Sequence, residues 1–552
     1  MLVVVVAGPV RSMDGVSAGS SATITTRITT EAARRRTFAV ISHPDAGKST
    51  LTEALALHAE VIDSAGAVHG KSGRKGVTSD WMDMERKRGI SITSAVLQFA
   101  YRDCVINLLD TPGHGDFSED TYRVLAAVDA AVMLLDAAKG LEPQTLKLFD
   151  VCRSRGVPVI TFVNKWDRPG REALELLDEV EQTIGLRPMP VTWPLGIAGD
   201  LRGVVELATN ELHRYTRTAG GATKADVETL SAEAAAEQEP QHWPAAIEEI
   251  ELLAEIGAEF DEKDFLAGKA TPVLFGAALI GVGVGRLLDA LVDLAPPPAA
   301  RDDEDGNPRP IEEPLSGLIF KVQAGMDKSH RDRMAFLRIN SGRFERGMVL
   351  VHAPTGRPFA TKYAQSVFGQ ERTTVEEAFP GDIVGLVNAG ALRPGDSLYS
   401  EDKVVFPAIP SFAPEFFAVV RGKDAGRFKQ FRRGIEQLDS EGVIQVLTSD
   451  LRGDQAPVLA AVGPLQFEVV TERLENEFRA PVLLEQLSYN IARVTDAESA
   501  EQLNGQSEVE VLTRRSDGVL LAVFVNKWRM ETVRRKFPDA KLEPLLAGTV
   551  ER

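Results

Sequence analysis

The fold of this chain is decided by the stretch Ser42-His43-Pro44-Asp45-Ala46-Gly47-Lys48-Ser49. A short apolar run precedes it, typical of a buried parallel strand, and a helical pattern follows it. A strand, a loop and a helix in that order are the context of a phosphate-binding loop. Ser42 stands where the strict pattern has its first glycine, so a chance Gly-Lys-Ser at a helix start stays an alternative.

The residue types of this stretch suit the phosphates of a nucleotide. Backbone N–H groups in the loop and at the helix N-terminus point at phosphate oxygens. Gly47 leaves room for a close approach, and the Lys48 ammonium reaches the β- and γ-phosphates. The Ser49 hydroxyl is a ligand for Mg²⁺. We therefore predict that the whole stretch binds nucleotide and that Lys48 also takes part in catalysis.

A second candidate segment follows another buried strand and reads Asp110-Thr111-Pro112-Gly113-His114. An aspartate at the C-terminal end of a strand holds Mg²⁺ through water in nucleotide sites of this kind. The backbone N–H of Gly113 can turn toward a γ-phosphate. Asp, Pro and Gly also form ordinary turns, so a simple strand-ending turn is the alternative.

A third segment, Asn164-Lys165-Trp166-Asp167, follows the apolar run 159–163. The Asp167 carboxylate can accept two hydrogen bonds from guanine, at N1–H and at the exocyclic amine. Adenine lacks this donor pair, and sites built on hydrogen bonds reject such analogues by roughly 10⁴ or more. The segment predicts a guanine nucleotide, GTP or GDP, rather than ATP.

Two weaker segments complete the predicted site. Ser91, in a basic turn between the first two segments, can offer a hydroxyl to Mg²⁺ when GTP is bound. After the strand-like run 273–275, backbone N–H groups of Ala277, Ala278 and Leu279 can contact the guanine oxygen.

Strands alternate with helices from residue 34 to 297, which predicts a doubly wound α/β domain with its ligand at the C-terminal ends of the strands. An Ala- and Glu-rich stretch at about 217–268 is interpreted as a mostly helical insertion. Residues 1–33 are rich in Ser, Thr, Gly and Ala and are expected to be disordered. Residues 298–313 are expected to form a linker.

The second half of the chain predicts two further domains. Short apolar runs separated by Gly and Pro turns predict a small β-barrel over residues 314–402. The order β-α-β-β-α-β within residues 403–552 predicts a ferredoxin-like α+β domain. The basic helix near its end has no predicted position.

Charge and composition limit the possible partners. The 552 residues carry 62 Lys and Arg against 80 Asp and Glu, a net charge of −18. A protein that coats nucleic acid is usually basic, so we expect no DNA binding, and any RNA contact must use local patches. Two such patches, equally compatible with solvated faces, are Lys328, Arg331, Arg333, Arg338, Arg343 and Arg346, and Arg421, Lys423, Arg427, Lys429, Arg432 and Arg433.

Two cysteines are too few for a disulfide framework, and the apolar run at residues 2–6 is too short to span a membrane. We therefore expect a cytoplasmic monomer that does not bind membranes. A weak signal peptide at this run is the alternative.

With these residues in view, the chain resembles the translational GTPases, and among them the bacterial peptide chain release factors that hydrolyse GTP. The resemblance covers about residues 35–490. It rests on the segments 41–50, 88–93, 110–122 (DTPGHGDFSEDTY), 136–142 (DAAKGLE), 164–167, 320–322, 326–333, 376–386 (EEAFPGDIVGL) and 462–469.

The resemblance implies a ribosome-stimulated GTPase of translation termination. Its partners would be the ribosome and the release factors that read stop codons, whose dissociation it would promote. It also implies that His114 orients the attacking water, and the alternative for His114 is a turn residue that caps the next helix. Two alternative functions stay open: an elongation or ribosome-protection factor, and a GTP-regulated binding module without useful turnover.

Overall fold

The computed structural model describes residues 21–62, 94–216, 224–324, 333–368, 371–409, 412–449, 452–453 and 455–545. The predicted metal ligand Ser91 lies outside these residues, as do Lys328 and Arg331 of the first basic patch.

The first domain is built on a seven-stranded sheet. Its strands are β1 (Arg35–Ser42), β2 (Ala95–Tyr101), β3 (Cys104–Asp110), β4 (Ala130–Asp136), β5 (Val159–Asn164), β6 (Arg187–Pro190) and β11 (Ala270–Phe275). They lie in the order β2-β3-β1-β4-β5-β11-β6. All neighbouring pairs are parallel except β2 with β3. The crossovers place the C-terminal ends of β1, β3, β4 and β5 at one edge, where ligands bind in such sheets.

Helices cover both faces of this sheet, which confirms the doubly wound fold. They are α2 (Lys48–His58), α3 (Ser118–Leu125), α4 (Pro143–Ser154), α5 (Ala173–Ile184) and α9 (Val284–Leu294). One core contains Leu51 of α2 and Leu287 of α9, and the core on the other face contains Leu125 of α3 and Phe149 of α4. The phosphate-loop helix is thus fixed to the sheet by buried leucines.

The expectation of disorder was wrong for residues 21–33, which form helix α1 (Ser21–Ala33). Ile28 and Ala32, four residues apart, are buried on one side of this helix. Arg27 stacks over the Phe379 ring at 5.4 Å and pairs with Glu377. A Ser- and Thr-rich composition concealed this narrow apolar face.

The described residues of the predicted helical insertion, at about 217–268, form three helices and one strand, and the three other strands that share this strand's sheet lie before the insertion. A second sheet has the order β10-β9-β8-β7, from strands β7 (Thr192–Leu195), β8 (Gly203–Glu206), β9 (Glu211–Tyr215) and β10 (Val227–Leu230). Three helices follow: α6 (Ala232–Gln238), α7 (Trp243–Glu255) and α8 (Glu262–Leu266). Strand β10 was missed because three of its four residues are exposed, which leaves almost no apolar alternation to read.

The linker region contains the short antiparallel pair β12 (Arg301–Asp302) and β13 (Pro308–Arg309). The strands of the second domain follow: β14 (Ser316–Ala324), β15 (Arg333–Ser341), β16 (Phe344–Glu345), β17 (Val349–His352), β18 (Arg357–Ala360), β19 (Ala364–Phe368), β20 (Glu371–Thr374), β21 (Glu377–Ala378), β22 (Ile383–Val387) and β23 (Ser397–Tyr399). Eight of them form one antiparallel sheet, and β16 pairs with β21. Leu337, Phe344, Leu350 and Val384 share a single core, as expected for a barrel domain.

The third domain begins with the predicted ferredoxin-like unit. Its elements are β24 (Phe416–Gly422), α10 (Phe428–Glu441), β25 (Gln445–Thr448), β26 (Val458–Ala461), α11 (Pro464–Asn476) and β27 (Val482–Leu487). The strand order β27-β24-β26-β25 continues through β29-β30-β28 into one seven-stranded sheet. The added elements are β28 (Ile491–Thr495), α12 (Ala497–Leu503), β29 (Val509–Arg514), β30 (Leu520–Phe524) and α13 (Lys527–Lys536), the basic helix.

The first and second domains meet at a buried charge cluster. The Asp129 carboxylate accepts hydrogen bonds from Arg338 at 2.8 Å and from Arg301 at 3.2 Å. Arg338 is fully buried, so the interpretation of this arginine as part of an RNA-binding patch was wrong. Met334 and Phe336, on the same face of β15 as Arg338, pack against the first domain, whereas Leu337 on the other face is in the barrel core.

Candidate nucleotide site

The phosphate loop joins β1 to α2 and requires glycine at one position. Gly47 has φ 99° and is the N-cap of α2, whose first turn no side chain caps. A Cβ at Gly47 would lie 2.5 Å from Nδ2 of Asn164. The first-turn N–H groups of α2 therefore remain oriented outward from the helix, as an anion site needs.

Asn164 connects this loop to the base-recognition segments. Its Nδ2 donates to the Ala46 carbonyl at 2.8 Å, and its Oδ1 accepts from the Ala278 N–H at 2.9 Å. Since Asn164 is buried, these hydrogen bonds are protected from water. One amide thus fixes three separated segments to one another.

Lys165 also contacts the phosphate loop. Its Nζ donates to the Asp45 carbonyl and, at 2.8 Å, to the Asp136 carboxylate at the end of β4. Burial by itself raises the pKa of Asp136, but the hydrogen bonds from Lys165 and from the Ala138 N–H together hold that pKa below its ordinary value. Asp136 therefore stays ionised and keeps the lysine stem along the nucleotide edge of the sheet.

Lys48 and Asp110 form a buried ion pair at the centre of the site. The Thr111 hydroxyl donates to the Val40 carbonyl at 2.6 Å, which fixes the end of β3 against β1. A Cβ at Gly113 would lie 3.8 Å from Cα of Pro44 and 3.9 Å from Cε of Lys48. The second predicted segment thus lies directly against the phosphate loop.

His114 caps the turn that follows this segment. Its Nδ1 accepts the Asp116 N–H at 3.2 Å and also lies 3.2 Å from Oδ1 of Asp116. The ring stands edge-on to Phe117, with 6.3 Å between ring centroids, and the side chain is 39% exposed. The His114 side chain therefore caps the turn, as one of the two alternatives predicted. Its ring is also exposed enough to take part in catalysis.

Some predicted contacts with guanine need correction. The Trp166 side chain is buried against Phe275 and donates to the Gly196 carbonyl at 3.0 Å, so it belongs to the core. The Ala277 N–H is used by the Val282 carbonyl at 3.0 Å, and the Ala278 N–H by Asn164. Of the three backbone donors predicted for the guanine oxygen, only Leu279 keeps that assignment.

The residues fit a guanine nucleotide with Mg²⁺. Ser42 Oγ is buried at the start of the loop with no hydrogen-bond partner among the described residues. The hydroxyl of Ser49 and the carboxylate of Asp110 are the oxygen ligands that Mg²⁺ prefers. A Cβ at Gly47 would clash with Asn164, so glycine is what lets the phosphate loop close on that residue.

Sequence reasoning assigned no role in the site to two residues of this region, Asp136 and Glu142. Asp136 follows the buried strand β4 as Asp110 follows β3, and that repeated pattern was the available signal. His43 of the loop lies 3.0 Å from the Glu142 carboxylate, a contact between distant loops that no local pattern reveals.

Family models match nearly the whole chain in three consecutive pieces. They are the Elongation factor Tu GTP binding domain at residues 33–297, Elongation factor G domain 2 at 314–401 and the Class II release factor RF3, C-terminal domain at 406–534. The chain is also 47% identical to peptide chain release factor 3 of Gloeobacter violaceus, covering 93% of this chain and 98% of the relative. It is 45% identical to the same factor of Acaryochloris marina, in a match that covers 94% of this chain and 96% of that relative.

This chain belongs to the peptide chain release factor 3 family. It is therefore a GTPase that binds GTP and GDP, acts in translation termination and interacts with the ribosome. The fold is similar to that of a crystal structure from Thermus thermophilus, with a TM-score of 0.66 and 22% identity over 84% of this chain and 69% of that one. The elongation-type and turnover-free alternatives are not favoured. No helix in the described part of the chain is long and apolar enough to cross a membrane.

Proposed function

We propose that this release factor 3 family member uses GTP hydrolysis at the site around Lys48 to drive stop-codon-reading release factors off the ribosome. The observation that carries the site assignment is the Asn164 bridge, because it holds the phosphate loop, the Asn164–Asp167 segment and the Ala277–Leu279 segment together. Three segments from distant parts of the sequence converge where the sheet edge binds ligands.

Different residues of the site are proposed to bind the phosphates, the metal ion and the base. The backbone N–H groups of the loop between His43 and Lys48, other than at Pro44, which has none, hold the phosphates together with the Lys48 ammonium. Ser49 and Asp110, with Ser91, are the proposed Mg²⁺ ligands, and the bound metal would neutralise charge on the β- and γ-phosphates. Asp167 reads the guanine edge, and Lys165 lies along the base.

His114 is the proposed positioning group for the attacking water. Phosphoryl transfer needs orientation and charge stabilisation more than covalent chemistry, so one well-placed imidazole has a large effect. The ribosome would supply the order that this loop needs. We further propose a cytoplasmic monomer, with no DNA or membrane partner, divided into domains at residues 34–297, 314–402 and 403–552.

Phosphate release from GTP and from ATP, each with and without ribosomes that carry a stop codon and a bound release factor, tests this function. We expect turnover of GTP alone, raised by ribosomes, together with faster departure of the labelled release factor. Turnover that ribosomes do not change, or a release factor that leaves equally fast without GTP, would contradict the proposal.

A further inference from the structure

The Asp116 carboxylate lies between the proposed catalytic histidine and the third domain. Its Oδ1 is 3.2 Å from Nδ1 of His114, and its Oδ2 accepts the backbone N–H of Leu465 at 2.7 Å. Leu465 is in the first turn of α11, where unpaired N–H groups and the helix dipole favour an anion. One carboxylate of the first domain therefore caps a helix of the third.

Gly463 makes this approach possible. It is the N-cap of α11, and a Cβ there would lie 2.0 to 2.4 Å from the carboxylate atoms of Asp116. Its φ of −146° is extended backbone that any residue adopts. Glycine is thus required by the closeness of Asp116 and not by the backbone conformation.

The segment that follows Asp116 is attached to the same domain. Phe117 packs with Val469 of α11. The buried Glu119 carboxylate accepts from Nε2 of Gln445 at 3.0 Å, and Arg123 donates to the Gly442 carbonyl at 3.1 Å. Helix α3, which packs in the core of the first domain, and the turn before it therefore form a contact surface for the third domain.

We propose that Asp116 is a positioning residue that couples the orientation of His114 to docking of the third domain. The inference rests on the proposed role of His114. While α11 is docked, Asp116 is fixed by the Leu465 N–H, and the His114 ring is held against a fixed group. When α11 is displaced, the turn loses that anchor and the ring samples more rotamers, so a smaller fraction is oriented for reaction.

The test compares Asp116→Ala, Asp116→Asn and Gly463→Ala in the full chain. Gly463→Ala leaves every residue of the first domain unchanged and displaces α11 from Asp116 by steric clash. We expect Asp116→Ala and Gly463→Ala each to lower the ribosome-stimulated kcat about tenfold, with the Kd for GDP changed less than about twofold. Asp116→Asn keeps an acceptor oxygen for the Leu465 N–H and should recover most of the rate.

A spectroscopic readout separates positioning from general damage. In protein labelled at its 8 histidines, the His114 imidazole signal, assigned with His114→Ala, should shift or broaden in both variants. Gly422→Ala is the matched control in the third domain, because its Cβ meets only ordinary contacts with Phe431 at 3.7 Å. It should leave the rate, the signal and the melting temperature unchanged.

Two outcomes would overturn the inference. If the His114 signal and the rate are unchanged in Gly463→Ala, the docking of α11 does not affect the orientation of the His114 ring. Equal loss in Asp116→Asn and Asp116→Ala would show that the Leu465 contact is not what positions the ring. If His114→Ala itself hydrolyses GTP normally while the signal still shifts, the proposed role of His114 fails and the coupling stands.

Discussion

Asn164 donates a hydrogen bond to the carbonyl of Ala46 at 2.8 Å and so ties the end of strand β5 to the phosphate loop. The other end of the same amide accepts the Ala278 N–H at 2.9 Å. Because both contacts are buried, Asn164 sets the distance between the groups proposed to bind phosphate and those proposed to bind the base.

Asn164→Ala should weaken GDP binding about 30- to 150-fold, since two buried hydrogen bonds are lost, at about 1 to 1.5 kcal/mol each. Titration of a fluorescent GDP analogue measures the change. Asn307→Ala is the matched control, because Asn307 only donates to Asp303 in an exposed turn. An affinity within threefold of the parent protein would show that the bridge does not organise the site.

Gly47→Ala tests the close approach in the phosphate loop. The added Cβ would meet Asn164 Nδ2 at 2.5 Å and would also be strained at φ 99°. We expect nucleotide binding to fall below detection while the fold persists. Gly268→Ala carries the backbone strain alone, since its φ is 66° and no atom lies within 4 Å, so it should cost about 1 kcal/mol of stability and leave binding intact. Equal nucleotide affinity in the two variants would contradict the steric argument.

The elements that could be predicted are those whose signal is local. Strands β1, β3 and β5 each contain a mostly apolar run followed by polar residues, so their positions and the convergence of Lys48, Asp110 and Asn164 follow from the sequence alone. The strand order of the ferredoxin-like unit likewise follows from its β-α-β-β-α-β succession.

The elements that could not be predicted depend on partners distant in the chain. Helix α1 exists because Ile28 and Ala32 are buried and Arg27 reaches Glu377. Arg338 is buried because the first domain covers its face of β15, and Asp129 of that domain accepts its hydrogen bond. The internal use of the Ala277 and Ala278 N–H groups depends on Val282 and Asn164, and no single segment shows this.

Asp129→Ala should destabilise the junction of the first two domains by about 3 to 5 kcal/mol, because it leaves the buried guanidinium group of Arg338 and the partly exposed one of Arg301 without their carboxylate. Burial and the neighbouring Arg338 lower the pKa of Arg301 to about 10, so Arg301 remains charged at neutral pH. Urea unfolding followed by tryptophan fluorescence measures the loss. Asp293→Ala is the control, since the Asp293 pair with Arg102 at 2.9 Å is half exposed and should contribute at most about 1 kcal/mol. Similar losses in both variants would show that the junction does not depend on Asp129.

Asp167→Asn tests the assignment of guanine recognition. The carboxylate accepts from two donors of guanine, whereas the amide presents one acceptor and one donor. Xanthine has an oxygen where guanine has the amine, so it pairs with the amide instead. We expect the variant to lose at least about 100-fold in GTP affinity and to bind XTP better than GTP, measured by competition against a labelled nucleotide. If the variant still prefers GTP to XTP, Asp167 does not recognise the base.

His114→Ala distinguishes the two roles that the structure allows for this histidine. The ring caps the turn through the Asp116 N–H at 3.2 Å, so its loss should lower stability by about 1 kcal/mol whatever its part in catalysis. A positioning role predicts in addition that ribosome-stimulated phosphate release falls about 10²- to 10⁴-fold while the Kd for GDP stays within twofold. His114→Asn is the matched variant, because asparagine is among the best N-caps but has no imidazole. If His114 acts on the reaction, His114→Asn should regain the melting temperature and remain inactive. Recovery of hydrolysis in His114→Asn would instead assign to His114 the capping of the turn alone, and the attacking water would have to be oriented by another group.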